Sequence, residues 1–265
     1  MEVNSLCKGY RKYCEDVVFV IKDHLFAVID AATGITEQIN QPSDGVYLAK
    51  NLKEEILSLY KAGKLKPNNF VRQMNMISKR LYAKFTKGHK NLERYQFPYA
   101  SIALAYIDVC DVHVFSIGDV DTFIRYKNGK VRYISDRSIP LMDKKAYEKY
   151  GSLENAIPQL KENRSILNKN GKKSSYSLYK KPHLKFKHEV FDIREISELY
   201  LCSDGYYQAF DTFKLYKSRR ELFSNRNDLQ DVCKQIEKAA QNDPQRIKYP
   251  RLKVTDDISA VRVIF

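Results

Sequence analysis

The sequence of 265 residues predicts an α+β fold, a four-layer α/β/β/α sandwich in which two stacked antiparallel sheets are flanked by helices. Three observations predict it. Helical and strand patterns segregate along the chain instead of alternating, which argues against a doubly wound parallel sheet. Asn128-Gly129 falls between two strand patterns and marks an antiparallel hairpin, because both residues tolerate positive φ. The length suffices to bury a sizeable core as a single domain spanning 1–265.

In chain order, residues 1–9 are polar and read as a leader that frays. Val17 to Lys22 forms a strand, and a tight turn at Asp23-His24 joins it to a second, Phe26 to Asp30, as a hairpin. In that second strand, alternation puts Phe26, Val28 and Asp30 on one face and Leu25, Ala27 and Ile29 on the other. Ser43 or Asp44 caps a helix whose apolar face is Val46, Ala49, Leu52, Ile56 and Leu59, and Gly63 stops it. Pro67 and Asn68 open another, with Phe70, Met74, Ile77, Leu81 and Phe85 at helical spacing. Four strands follow: Ala100 to Val109, Val112 to Ile117, Thr122 to Tyr126 and Lys130 to Ile134. Residues at about 135–187 show no period and are rich in Lys, Asn and Ser, which suggests a flap-like insertion beside a site. Strands return at Phe186 to Phe191 and Glu198 to Cys202. A helix starts near Asp204, another carries Leu229, Val232, Ile236 and Ala239, and Ile258 to Phe265 closes the chain as a strand.

Composition narrows the function. Five scattered cysteines without metal-ligand spacing suggest a reducing compartment and no zinc site. The N-terminus lacks a basic region followed by an apolar core, and no apolar run approaches the ~18 residues of a membrane span, so a cytoplasmic protein with no membrane partner is expected. A net charge of +14 is compatible with a phosphorylated or otherwise acidic partner and equally with a solvated surface. The basic runs lack interleaved aromatics in a recognisable register, so a nucleic-acid partner is not expected.

Five segments share one design, an apolar strand or turn adjoining an acid: Glu15-Asp16, Asp30, Gly118-Asp119, Ser203-Asp204-Gly205 and Asp256-Asp257. Singly, each is more simply a turn or cap residue. Gathered at one sheet edge, the carboxylates would repel unless divalent ions neutralised them. Oxygen donors suit hard ions such as Mg²⁺ and Mn²⁺, and no His or Cys pair competes for softer metals.

In order and wording these segments resemble the metal-dependent serine/threonine protein phosphatases of type 2C. That family's motifs run Arg-x-x-x-Glu-Asp, Asp-Gly-x-x-Gly, Gly-Asp-Ser/Thr, Ser-Asp-Gly and Asp-Asn, and their counterparts here follow in the same order, at Arg11 to Asp16, Asp30 to Gly34, Gly118-Asp119, Ser203 to Gly205 and Asp256-Asp257. The resemblance implies an α/β/β/α sandwich that hydrolyses phosphoserine and phosphothreonine in proteins by attack of a metal-bridging hydroxide. It implies two Mg²⁺ or Mn²⁺ ions bridged by Asp30, with the carbonyl of Ala31 and with Asp204 and Asp256 as further ligands. It implies that Asp16 also serves the metals, that Glu15 holds their waters, that Asp119 belongs to a third, weaker site, and that Arg11 grips the substrate phosphate. A phosphorylated protein substrate is therefore expected, with room for a partner kinase and a monomeric state. Ala32 stands where many members have a His that protonates the leaving group, and Ala31 where they have Gly. Val120 replaces the Ser or Thr after Gly-Asp, and Asp257 replaces Asn. These departures motivate a second expectation, a weak or inactive pseudophosphatase that binds a phosphorylated or acidic partner.

Overall fold

The computed structural model describes residues 1–10, 12–35, 38–89, 91–151, 153–168, 174–224, 227–251 and 253–265. The strands are β1 (Glu2–Lys8), β2 (Asp16–Ile21), β3 (Leu25–Ala32), β4 (Tyr99–Asp108), β5 (Asp111–Ile117), β6 (Asp121–Tyr126), β7 (Val131–Ile134), β8 (Tyr176–Ser177), β9 (Lys187–Asp192), β10 (Ile196–Cys202) and β11 (Ile258–Ile264). The helices are α1 (Asp44–Lys61), α2 (Phe70–Phe85), α3 (Ser138–Tyr150), α4 (Leu153–Ile166), α5 (Asp204–Asp211), α6 (Arg219–Leu222) and α7 (Leu229–Gln241).

Two sheets form, in the orders β1-β11-β10-β6-β7 and β2-β3-β4-β5-β9, with β8 added to β4. Every pairing is antiparallel. Three apolar layers follow from the two-residue alternation of the strands. Phe26 and Val28 face Leu199, Leu201, Val261 and Val263 between the sheets. Leu25, Ala27 and Ile29 turn to α1 and α2, where Leu52, Met74 and Ile77 are fully buried. On the far side, α5 and α7 pack Tyr206, Val232 and Ile236 on Tyr200 and Ala260. The architecture is the expected four-layer sandwich, and Asn128-Gly129 joins β6 to β7 as expected.

One expectation is corrected, and one segment without a readable period proves to hold regular structure. The polar leader is an ordered edge strand, β1, paired with β11 from Glu2↔Ile264 to Lys8↔Ile258. Its backbone supplies the pairing and only Leu6 is buried, so the strand leaves almost no apolar pattern to read. Residues 135–187 contain α3 and α4, joined through Gly151 in the left-handed conformation, and the short strand β8. The helix pair keeps a small core of its own, Ala146, Ala156 and Leu160 with Ile35 and Tyr150 against it. Among the described residues no helix is long and apolar enough to cross a membrane.

Candidate active site

The register of the second sheet carries three of the predicted acids to one end. Asp16 of β2 lies directly opposite Asp30 of β3, and Asp30 lies opposite Ser101 of β4. Asp30 continues the face of Phe26 and Val28, so it emerges where the core between the sheets ends. Beyond it, the Ser101 hydroxyl donates to the Asp119 carboxylate and accepts the Asp119 N–H at 3.0 Å, holding the β5–β6 turn against β4. The other sheet supplies the remainder. The Ser203 N–H donates to the Ser259 carbonyl at 2.9 Å and the Ser259 N–H donates to Ser203 Oγ at 3.0 Å. That exchange fixes the start of α5, and with it Asp204, beside the entry to β11. Gly205 is required there: a Cβ at this position would lie 2.0 Å from the Asp257 carbonyl oxygen. Asp30, Asp119, Asp204 and Asp256, far apart in sequence, thus line one cavity of about 630 Å³.

Burial sets the electrostatics. The Asp30 carboxyl is pushed well above the ordinary carboxylate range by desolvation, and then by Asp16, Asp204, Asp119 and Asp256. Asp16, also desolvated and near Asp257 and Asp256, moves the same way against the hydrogen bond from Ser259 Oγ at 2.7 Å. Asp119 rises by desolvation despite Ser101. Asp204 is pushed up to about 7 by desolvation, then by Asp256 and Asp119. Such a set favours protons or cations. Among the described residues no three His, Cys, Asp or Glu side chains already form a group that would hold a metal ion. Three of the acids also have local partners: Lys253 binds Asp256 at 2.5 Å, Ser101 binds Asp119 and Ser259 binds Asp16.

Two arginines missed in the sequence also line the cavity. Arg137, at the entry to α3, pairs with Asp121 at 3.1 Å and with Asp211, and lies over the Tyr207 ring at 4.6 Å. Burial opposes its charge, but Asp121, Asp211, Asp204 and Asp119 overcome that and hold the guanidinium protonated more firmly than usual. Arg164 of α4 binds Asp143 at 2.8 Å and lies 4.2 Å from the centre of the Tyr99 ring. The α3–α4 pair is thereby tied over the acids.

No protein-family model and no curated protein sequence matches the chain. Solved structures do. A bacterial serine phosphatase is similar over 100% of this chain and 97% of its own, at 14% identity and a TM-score of 0.60. Serine/threonine phosphatase Stp1 from Staphylococcus aureus is similar over 100% and 94%, at 14% identity and 0.60. The catalytic domain of serine/threonine protein phosphatase PstP, in complex with two manganese ions, is similar over 98% and 96%, at 12% identity and 0.56. The chain has the fold of the type 2C serine/threonine phosphatases.

Within this type 2C fold the remaining expected site residues divide. Arg11 lies outside the described residues. Asp16 is buried behind Asp30 and is not among the residues that line the cavity. One carboxylate oxygen of Glu15 meets the start of α1: its Oε1 accepts from Thr33 Oγ1 at 2.5 Å and from Ser43 Oγ at 2.6 Å, and Ser43 caps α1 by accepting the Val46 N–H. Here Glu15 joins β2 to the helix layer. Ala31 is buried in β3 opposite Ala100, with its side chain in the layer beneath α1. Ala32 lines the cavity and brings no titratable group to it. Asp257 accepts the Tyr10 N–H at 3.0 Å and the Glu15 N–H at 2.8 Å, so its carboxylate orders backbone.

Proposed function

We propose that the chain is a Mg²⁺- or Mn²⁺-dependent phosphatase that hydrolyses phosphoserine and phosphothreonine in proteins. One observation carries the reading: Asp30, Asp119, Asp204 and Asp256 share a single cavity although none has a sequence neighbour among the others. A cation fits this donor set. The raised carboxyls and the directly opposed pair Asp16 and Asp30 carry repulsion that a divalent ion would relieve, and hard oxygen donors suit Mg²⁺ or Mn²⁺.

Asp30, Asp204 and Asp256 would hold the ions, with Asp16 behind Asp30 and Asp119 at a further site. Bound ions would supply Lewis acidity and a water made nucleophilic near neutral pH. The protein's own part is positional. Asp30 is aimed by the β2–β3–β4 register, Asp204 by the start of α5, and Asp256 by the turn into β11. Arg11 takes the phosphate, since a planar guanidinium binds two of its oxygens at once. Ala32 offers no proton, so the leaving alkoxide takes its proton from water or from another group, and loss of a general acid is worth roughly 10²–10⁴ in rate.

Hydrolysis of an aryl phosphate and of a phosphothreonine peptide should require added Mn²⁺, stop with EDTA, and vanish in Asp30→Ala. Turnover that survives EDTA contradicts this reading. The Lys253–Asp256 pair, which engages one of the proposed ligands, favours one alternative, a pseudophosphatase that binds a phosphorylated partner without cleaving it. Calorimetry showing phosphopeptide binding with no hydrolysis at saturating Mn²⁺ would select it.

A further inference from the structure

Away from the cavity, two thiols meet at the junction of β1 and β2. Cys7 in β1 and Cys14 just before β2 are both free, and their Sγ atoms stand 3.9 Å apart. Cys7 is exposed and Cys14 partly so. Gly9 permits the approach, because a Cβ there would fall 2.7 Å from the Cys14 Cβ and displace it. The connecting segment is fastened through Tyr10 and Glu15 to the one carboxylate of Asp257. Cys7 Sγ also lies 3.6 Å from the Asp16 carbonyl oxygen. The other cysteines are placed differently. Cys110 is exposed in the β4–β5 turn, Cys202 is buried, and Cys233 is buried with its Sγ 3.2 Å from the Tyr10 hydroxyl.

We propose that Cys7 and Cys14 form a reversible oxidation site that closes to an intrachain disulfide under hydroperoxide and so regulates the phosphatase through the segment between β1 and β2. A disulfide needs about 2.05 Å between sulfurs, and the two Sγ atoms already stand in van der Waals contact at 3.9 Å, where rotation about each Cα–Cβ bond moves them relative to one another. The Cys7 thiolate attacks one peroxide oxygen and the O–O bond breaks. Hydroxide leaves, takes a proton as water, and a sulfenic acid remains. Cys14 sulfur then attacks the Cys7 sulfur; the S–S bond forms, the S–O bond breaks, and the second hydroxide takes the Cys14 proton. One peroxide is reduced to two waters while two thiols become one disulfide. In a reducing compartment such a bond is transient, not a resting staple. The regulatory part rests on the proposed function: Arg11 lies between the two cysteines in sequence and Asp16 follows Cys14, so ring closure is expected to weaken capture of the substrate phosphate.

The test uses the full chain carrying Cys110→Ser, treated with hydrogen peroxide, quenched, alkylated and mass-mapped before and after dithiothreitol. Cys7 and Cys14 should become protected together within one chain, with a mass loss of two hydrogens that dithiothreitol reverses. Cys14→Ser in the same background should abolish that loss and leave Cys7 as a sulfenic or sulfinic acid. Sulfinic Cys7 beside an alkylatable Cys14, a Cys7–Cys233 link, or a bridge between chains would overturn the proposal. The KM for a phosphopeptide should rise several-fold on oxidation and recover on reduction. A bridge that forms with KM unchanged would overturn the regulatory part. The mass readout needs no hydrolysis, so it is read separately from the phosphatase reading.

Discussion

Asp30 concentrates the tension between folding and function. The strand that positions it also desolvates it and sets Asp16 opposite, an arrangement that costs stability unless a proton or a cation neutralises it. Asp30→Asn keeps the shape and removes a charge. It should abolish Mn²⁺-dependent turnover yet raise the melting temperature of the metal-free chain in EDTA, because a desolvated carboxyl among other acids is replaced by a neutral amide. A variant less stable than the parent in EDTA would contradict the electrostatic account. These acids were legible because each ends or begins an apolar run, a purely local signal. Arg137 and Arg164 were not, since their partners Asp121, Asp211 and Asp143 lie 16, 74 and 21 residues away. Glu15 has a role its motif did not announce: one carboxylate oxygen is engaged by Thr33 and by Ser43, the cap of α1.

At the scale of elements, contacts between neighbours set the geometry. Gly205→Ala would drive a methyl into the Asp257 carbonyl and part α5 from β11. Overpacking of this kind costs roughly 1–3 kcal/mol, and Mn²⁺ affinity should fall with it because Asp204 and Asp256 separate. Denaturant midpoints and calorimetric titration read the two effects. Arg137→Ala would leave Asp121 buried, where the carboxyl already sits at about 6 from desolvation even beside its arginine. Breaking that pair should cost about 3 kcal/mol and loosen α3, visible as faster amide exchange over Ser138–Tyr150. The central strands and the long helices were readable from their periods. β1 was not, because an edge strand can be held by backbone pairing alone. Nor were α3 and α4, whose apolar positions are few and whose sequences carry Pro140 and Pro158.

For the whole molecule, the gathered carboxyls make stability depend on pH, and under the proposed function on metal as well. Asp204 titrates at about 7 when folded against an ordinary 3.8, so between those values the native state holds more protons than the unfolded chain. The stabilisation is full below the lower value and is lost as pH rises through the upper one. In EDTA the melting temperature should therefore fall between about pH 4 and about pH 7, and Mn²⁺ should flatten or reverse that fall by replacing the protons. A metal-free chain that gains stability over this range would refute the coupling. The layer order could be inferred from the sequence because helix and strand patterns segregate. How closely the acids approach could not, because it depends on register between strands far apart in the chain.

The most direct measurement is anomalous diffraction at the manganese edge from crystals of this chain soaked in Mn²⁺. The account predicts density among Asp30, Asp204 and Asp256, with the Lys253 ammonium displaced from Asp256. A folded chain whose cavity stays free of manganese at saturating concentration, or which binds the ion elsewhere, would contradict it.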